Sequence, residues 1–216
     1  SLMESVSKYI DHTNLHQEVN KVAVEKLCRE AIENNFASVC INPVFVRYAS
    51  EILNKEKPKV CTVVGFPLGA NPIELKFAES RYLIHQGAEE LDMVINISAL
   101  KEGDRRYIQS EIEKVVAAAD GNCVKVIIET CLLTNEEKKI VSEIAVDSGA
   151  DFIKTSTGFS FEGALVDDLI LIRKVIGSEM GIKASGGIKT LSDLNMFLNA
   201  GANRIGTSNA IAIINE

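Results

Sequence analysis

Lys154 stands in "DFIKTSTGF", inside a run that reads as a strand, and Thr155, Ser156, Thr157 and Gly158 follow it at once. Lysine is among the residues least often buried, because desolvating an ammonium is costly unless something compensates. Lys183 stands the same way in "GIKASGG", Lys125 in "CVKVIIE" and Asp92 in "ELDMVIN". Lysines on neighbouring strands lie about 4.8 Å apart. Two ammonium groups at that spacing repel, and one gives up its proton more readily than a free lysine near about 10.4. A neutral amine attacks carbonyls and forms a Schiff base, which then acts as an electron sink. Asp92 is placed to shuttle the protons of carbinolamine formation and breakdown. The chemistry indicated is Schiff-base catalysis, with Lys154 as nucleophile and Lys183 as its electrostatic partner.

Such residues need a scaffold that brings several strand ends together. Short β-branched runs recur along the chain: "YIDHT", "FASVCIN", "KVCTVVG", "ELDMVIN", "CVKVIIE", "DFIKTS", "GIKASG" and "NRIGTS". Between them lie stretches of helical period, such as "EVNKVAVEKLCREAIENN", "NPIELKFAESRYLIHQG", "RRYIQSEIEKVVAAADG", "TNEEKKIVSEIAVDSG" and "TLSDLNMFLNAG". Several close on Asn or Gly, the expected helix stop. The phrases "HQGAEELDMVIN", "DSGADFIKTS" and "NAGANRIGTS" repeat one pattern: helix end, glycine, alanine, polar residue, strand. Eight strand-helix units in 216 residues predict a single-domain α/β protein over 1–216, a (β/α)8 or TIM barrel, a fold that needs about 200 residues or more. The alternative, a doubly wound open sheet, calls for a glycine-rich turn after its first strand, and "YIDHTNLHQ" has none.

In such a barrel alternate side chains face the helices and the interior. Leu91, Met93 and Ile95 suit the helix side, which turns Asp92, Val94 and Asn96 inward. Val124, Val126 and Ile128 leave Lys125, Ile127 and Glu129 inside, and Ile153 and Ile182 leave Lys154 and Lys183 inside. Val39 and Ile41 turn Ser38, Cys40 and Asn42 inward, and Asp11 lies opposite Ile10. The interior thus collects Asp11, Cys40, Asp92, Lys125, Lys154 and Lys183. A solvated strand end is the plain reading of one lysine. Three lysines and two aspartates on inward faces of different strands instead form a mixed-charge cluster, and such clusters mark functional sites.

"SGGIKT" after strand seven and "GTSNA" after strand eight are small-residue loops leading into helices, and "STG" follows Lys154. Backbone N–H groups at helix N-termini bind anions, and barrels frequently carry a phosphate site after strands seven and eight. A phosphate held this way reconciles an anionic ligand with a chain of net charge −7. That charge argues against nucleic acid and anionic membrane as partners. No apolar run approaches a membrane span, and the N-terminal residues lack a signal-peptide pattern. The cysteines Cys28, Cys40, Cys61, Cys123 and Cys131 are odd in number and form no CxxC pair, which suits a reducing, cytoplasmic compartment rather than a disulfide framework or zinc site. Ser1-Leu2 before Met3 reads as an expression remnant.

"IDHTNL", "VCINP", "ELDMVIN", "VIIET", "FIKTSTGF", "KASGGI" and "GTS" resemble, in order and spacing, the motifs of the deoxyribose-phosphate aldolase family, from about Tyr9 to Asn209. The resemblance implies a barrel that reversibly cleaves 2-deoxy-D-ribose 5-phosphate to D-glyceraldehyde 3-phosphate and acetaldehyde without metal or other cofactor. It implies Lys154 as the Schiff-base lysine, Lys183 as the second lysine that lowers its pKa, and Asp92 as the proton-relay carboxylate. Asp11, Thr13, Cys40, Lys125 and Thr155 match substrate-pocket positions. Thr157, Gly158, Gly186, Gly187, Gly206, Thr207 and Ser208 match the phosphate site. A homo-oligomer, dimer or tetramer, is the expected assembly.

Two positions depart from the family pattern. Some members end in a tail whose terminal tyrosine helps protonate the enamine; here the last tyrosine is Tyr107 and the sequence ends at Glu216, so no tyrosine role is carried over. Some members have a lysine after "STG", where this chain has Phe159, so phosphate binding rests more on backbone amides. His12 points away from the pocket by parity and reads as packing; His16 and His85 show no metal spacing. Cys40 has no histidine partner in sequence and reads as a pocket wall. Two other functions compete: another Schiff-base barrel aldolase or transaldolase, and a non-catalytic sugar-phosphate binder. The latter would be expected to have lost a lysine or Asp92, and this chain keeps all three.

Overall fold

Eight parallel strands close into a barrel in sequence order, with each strand bonded to the next and β8 to β1. This computed structural model describes residues 6–216, so Ser1-Leu2 lie outside the described residues. The strands are β1 (Ile10–Asn14), β2 (Ser38–Ile41), β3 (Lys59–Val64), β4 (Glu90–Val94), β5 (Cys123–Ile127), β6 (Phe152–Lys154), β7 (Gly181–Ser185) and β8 (Arg204–Thr207). Around them run α1 (Lys21–Asn34), α2 (Val46–Ile52), α3 (Ile73–Gln86), α4 (Ile97–Lys101), α5 (Arg105–Ala119), α6 (Asn135–Asp147), α7 (Val166–Ile176), α8 (Leu191–Asn199) and α9 (Ala210–Ile214). The expected single-domain (β/α)8 barrel is what forms. Among the described residues no helix is long and apolar enough to cross a membrane.

The main core lies between strands and helices, as strand parity requires. Ile41, Leu91, Met93, Val124, Val126, Ile153, Ile182 and Ile205 are fully buried there against Leu83, Ile108, Ile112, Leu169 and Ile172 of the helices. The helices stop where their sequences say. α1 ends on Asn35 and α3 on Gly87, both left-handed, while a Thr134–Glu137 capping box opens α6. β6 is the short strand. It ends at Lys154, although the Thr155 N–H still reaches the Lys183 carbonyl at 3.1 Å.

Strand pairing fixes the heights of the interior groups. Asp92 is opposite Lys125, Ile127 opposite Lys154, and Lys154 opposite Lys183. His12 points outward from the barrel, its ring packed on Phe36 and its Nε2 3.0 Å from Glu30 Oε1. It is a packing residue, as parity indicated.

Candidate active site

Lys154 and Lys183 extend from register partners on β6 and β7 toward one oxygen of Asp92 on β4. Lys154 Nζ donates to Asp92 Oδ2 at 3.2 Å and Lys183 Nζ to the same atom at 2.8 Å. Lys183 Nζ also pairs with Asp11 Oδ2 at 2.6 Å. The other oxygen of Asp92 accepts from Lys125 Nζ at 2.9 Å, and Lys125 further reaches Glu90 at 2.6 Å and Asp11 at 3.3 Å. Arg204 closes the layer below, with Nη1 2.7 Å from both Asp11 and Glu90. Sequence reasoning did not name Glu90 or Arg204 as site residues, yet the parity that turns Asp92 inward does the same for both. With every group charged, four cations meet three carboxylates, which leaves net positive charge in the layer.

These neighbours decide the protonation states. Burial alone would lower Lys183, but the carboxylates of Asp11 and Asp92 outweigh it and hold Lys183 above the ordinary lysine range. Burial would raise Asp92, but Lys125, Lys183 and Lys154 outweigh it and keep Asp92 a carboxylate. Two lysines in bare repulsion is therefore too simple a picture: a shared carboxylate stands between them.

Above this layer opens a cavity of about 210 Å³, whose lining includes Thr13, Lys154, Thr157, Gly158, Gly186, Gly187, Gly206, Thr207 and Ser208. Of the three interior lysines, Lys154 is the one that lines it. Asp11 and Lys125 lie in the ionic layer rather than on the cavity wall. Thr155 also lies outside the cavity. Fully buried, its Oγ1 donates to the Ser185 carbonyl and accepts from the Ser185 N–H, both at 3.2 Å, which ties β6 to β7. Cys40 is buried beside Cys61, Leu15, Val63 and Phe66. A hydrogen bond from Cys61 brings its thiol down to about 7, helped by Lys183 and Lys154 and opposed by burial.

The small-residue loops meet at the cavity mouth, with one correction. The N-terminus of α8 is closed by its own capping box, in which Thr190 and Asp193 take each other's backbone N–H groups. Those helix-end N–H groups are therefore already partnered, and the loop 186–188 lines the cavity. Thr157 lines the cavity, but its N–H and hydroxyl both donate to Glu129. Gly206 has a packing reason as well: a Cβ there would lie 2.8 Å from Lys183 Cε. The cavity wall also holds Lys189 and His16, which sequence reasoning missed. Isolated loop charges carry no periodic signal.

Two trios hold ligand-type atoms within 4.8 Å of one another, Cys40–Cys61–Asp92 and Asp11–Cys61–Glu90. Lys125 Nζ bonds to members of both, so an ammonium already serves the position a metal would take.

The DeoC/LacD family aldolase pattern matches residues 5–210 of this sequence. The chain belongs to that family. It is 53% identical to a deoxyribose-phosphate aldolase of Clostridium perfringens over 211 residues, covering 97% of this chain and 94% of that protein. It is 54% identical to the deoxyribose-phosphate aldolase of Thermococcus gammatolerans over 213 residues, covering 97% and 95%. Among solved structures, the tetrameric deoxyribose phosphate aldolase of Aeropyrum pernix superposes with a TM-score of 0.92 at 32% identity, covering 98% of this chain and 90% of that one. In this DeoC/LacD aldolase one lysine, Lys154, stands at the cavity floor above a buried ionic layer.

Proposed function

We propose that this chain is a class I aldolase that reversibly cleaves 2-deoxy-D-ribose 5-phosphate to D-glyceraldehyde 3-phosphate and acetaldehyde through a Schiff base on Lys154. The observation that carries the reading is that Lys154, of the three interior lysines, opens into the cavity while bonded to the carboxylate it shares with Lys183. In its neutral form Lys154 Nζ attacks the aldehyde carbon, giving a carbinolamine with a cationic nitrogen and an anionic oxygen. Asp92, held ionised, takes the nitrogen proton and returns it to oxygen, and a second proton from solvent then lets that hydroxyl leave as water, giving the iminium. The Lys183 ammonium stabilises the negative charge that develops beside it. Asp92 takes the C3 hydroxyl proton as the C2–C3 bond breaks, D-glyceraldehyde 3-phosphate leaves, and the iminium accepts the electron pair as an enamine. Protonation and hydrolysis of that enamine release acetaldehyde and restore Lys154.

The phosphate binds at the mouth, against the loops that carry Gly158, Gly186, Gly187 and Ser208, with Lys189 and His16 at its edge. Thr13 shapes the sugar end; Cys40, expected as a pocket wall, is instead buried outside the cavity lining, and Asp11 and Lys125 act through the ionic layer. We further read the protein as cytoplasmic, since all five cysteines are free, and as a homo-oligomer, since Val22, Val44 and Leu68 are exposed apolar side chains. Acetaldehyde with borohydride, followed by peptide mass mapping, tests the nucleophile. A reduced ethyl group on Lys154 is expected; labelling confined to Lys183 or a surface lysine overturns the reading.

A further inference from the structure

Glu129 follows β5 directly and occupies the left-handed region, at φ 54° and ψ 67°. That conformation is strained for a side chain other than glycine. Its carboxylate is buried and accepts two hydrogen bonds from one residue, the Thr157 N–H at 3.1 Å and the Thr157 hydroxyl at 2.5 Å. Among the described residues no ion pair reaches it. The Thr157 hydroxyl oxygen accepts in turn from the Phe159 N–H at 3.0 Å, so one chain of bonds spans the turn around Gly158, itself at φ 85°. The same segment is stitched to β5 by Ile128 N–H to Lys154 O at 3.0 Å and Thr130 N–H to Thr155 O at 2.9 Å.

From this juxtaposition we propose that Glu129 is a positioning residue. It fixes the 157–159 turn so that the phosphate end of the substrate sits in register with Lys154. The inference rests on the aldolase reading and adds to it the source of phosphate discrimination on this side of the mouth. A buried carboxylate whose hydrogen-bond partners are one threonine's two donors is expensive unless those bonds are needed. Thr157, Gly158 and Phe159 all line the cavity, so displacing the turn moves its wall. Lys154 itself is held on β6 by strand pairing and by Asp92, and its reactivity does not depend on the turn.

The test compares Glu129→Gln, Glu129→Asp and Glu129→Ala. Gln keeps the backbone strain and one acceptor, whereas Ala loses both bonds. Borohydride trapping with acetaldehyde is read beside the KM for deoxyribose 5-phosphate and the rate with unphosphorylated deoxyribose. Trapping near the wild-type level is expected in every variant. The KM for the phosphorylated sugar should rise severalfold in Gln and tenfold or more in Ala, with the unphosphorylated rate little changed. Inorganic phosphate should weaken as an inhibitor in the same order. A purely structural role would lower melting temperature without moving the ratio between the two sugars, and that result overturns the proposal. Tighter phosphate binding on removal of the charge also overturns it, because Glu129 would then be repelling the phosphate. If the Ala variant fails to fold, the Gln and Asp variants decide. Failure of trapping in the wild-type chain would instead count against the aldolase reading.

Discussion

Lys154 and Lys183 donate to a single oxygen of Asp92, at 3.2 and 2.8 Å, although they arise on different strands. Lys183 has a second carboxylate in Asp11, and the two hold it cationic. Lys183→Met removes that charge and leaves Asp92 Oδ2 to Lys154 alone. Lys183→Met should therefore slow borohydride trapping with acetaldehyde by about tenfold or more, roughly 1.4 kcal/mol in the barrier. Lys154→Met should abolish trapping. A wild-type trapping rate in Lys183→Met would reassign Lys183 to substrate contact or packing.

Gly187 sits at φ 79° with open space where a Cβ would go, on the cavity wall. Asn and Asp share the tolerance of left-handed backbone and nearly the same shape. Gly187→Asn therefore measures the strain, and Gly187→Asp adds a negative charge where the phosphate should bind. The Asp variant should raise the KM for deoxyribose 5-phosphate about tenfold more than the Asn variant, roughly 1.4 kcal/mol. Unphosphorylated deoxyribose should respond alike to both. Equal losses on the two sugars would place the phosphate elsewhere.

Lys76 and Glu111 form a fully buried pair between α3 and α5. Lys76 Nζ also donates to the carbonyls of Gly69 and Val94, at 2.8 and 2.9 Å, and Glu111 accepts the Asn96 N–H at 2.7 Å. The pair thus anchors the loop after β3, which carries Phe66 to within 5.5 Å of the Phe159 ring. Burial pushes Lys76 down and Glu111 up, so each charge depends on its partner. Glu111→Leu alone should cost about 3–5 kcal/mol in urea denaturation, since it strands a buried ammonium. Adding Lys76→Met should recover much of that loss. Additive losses would show that the two side chains do not act as a pair.

Strand parity made the barrel interior legible, because a helix-facing position must be apolar and its neighbours then turn inward. Asp92, Lys125, Lys154 and Lys183 were found that way, and the same rule applies to Glu90 and Arg204. Depth along the barrel was not legible, since register depends on stagger between strands rather than on any one strand. Asp11 and Lys125 matched pocket positions through the family resemblance, and the structure sets them in the layer beneath the cavity. Thr155 was a pocket residue by resemblance alone; parity sets it on the face opposite Lys154, where it bonds Ser185. At the mouth, "TLSD" carried a capping-box signature that spends the α8 donors on the chain itself.

His12 offers a test on stability that is separate from the site chemistry. Burial lowers its pKa from the ordinary 6.5, against the opposing hydrogen bond and charge of Glu30. The folded chain therefore holds His12 neutral, while the unfolded chain binds a proton as pH falls through about 6.5. Where the unfolded state binds more protons, stability rises with pH, so stability should drop on acidification below about pH 7. The slope is bounded by about 1.4 kcal/mol per pH unit for one proton. Asp11 and Asp92 act in a different window. Burial would raise both, but the surrounding cations lower them, and their contribution is lost only as pH falls below the ordinary aspartate value of 3.8. Urea denaturation between about pH 5 and pH 8 should thus show a positive slope in the wild-type chain that flattens in His12→Gln, with the steep loss near pH 3 retained in both. An unchanged slope in His12→Gln would mean that another group titrates on unfolding in this range and that His12 is protonated in the fold.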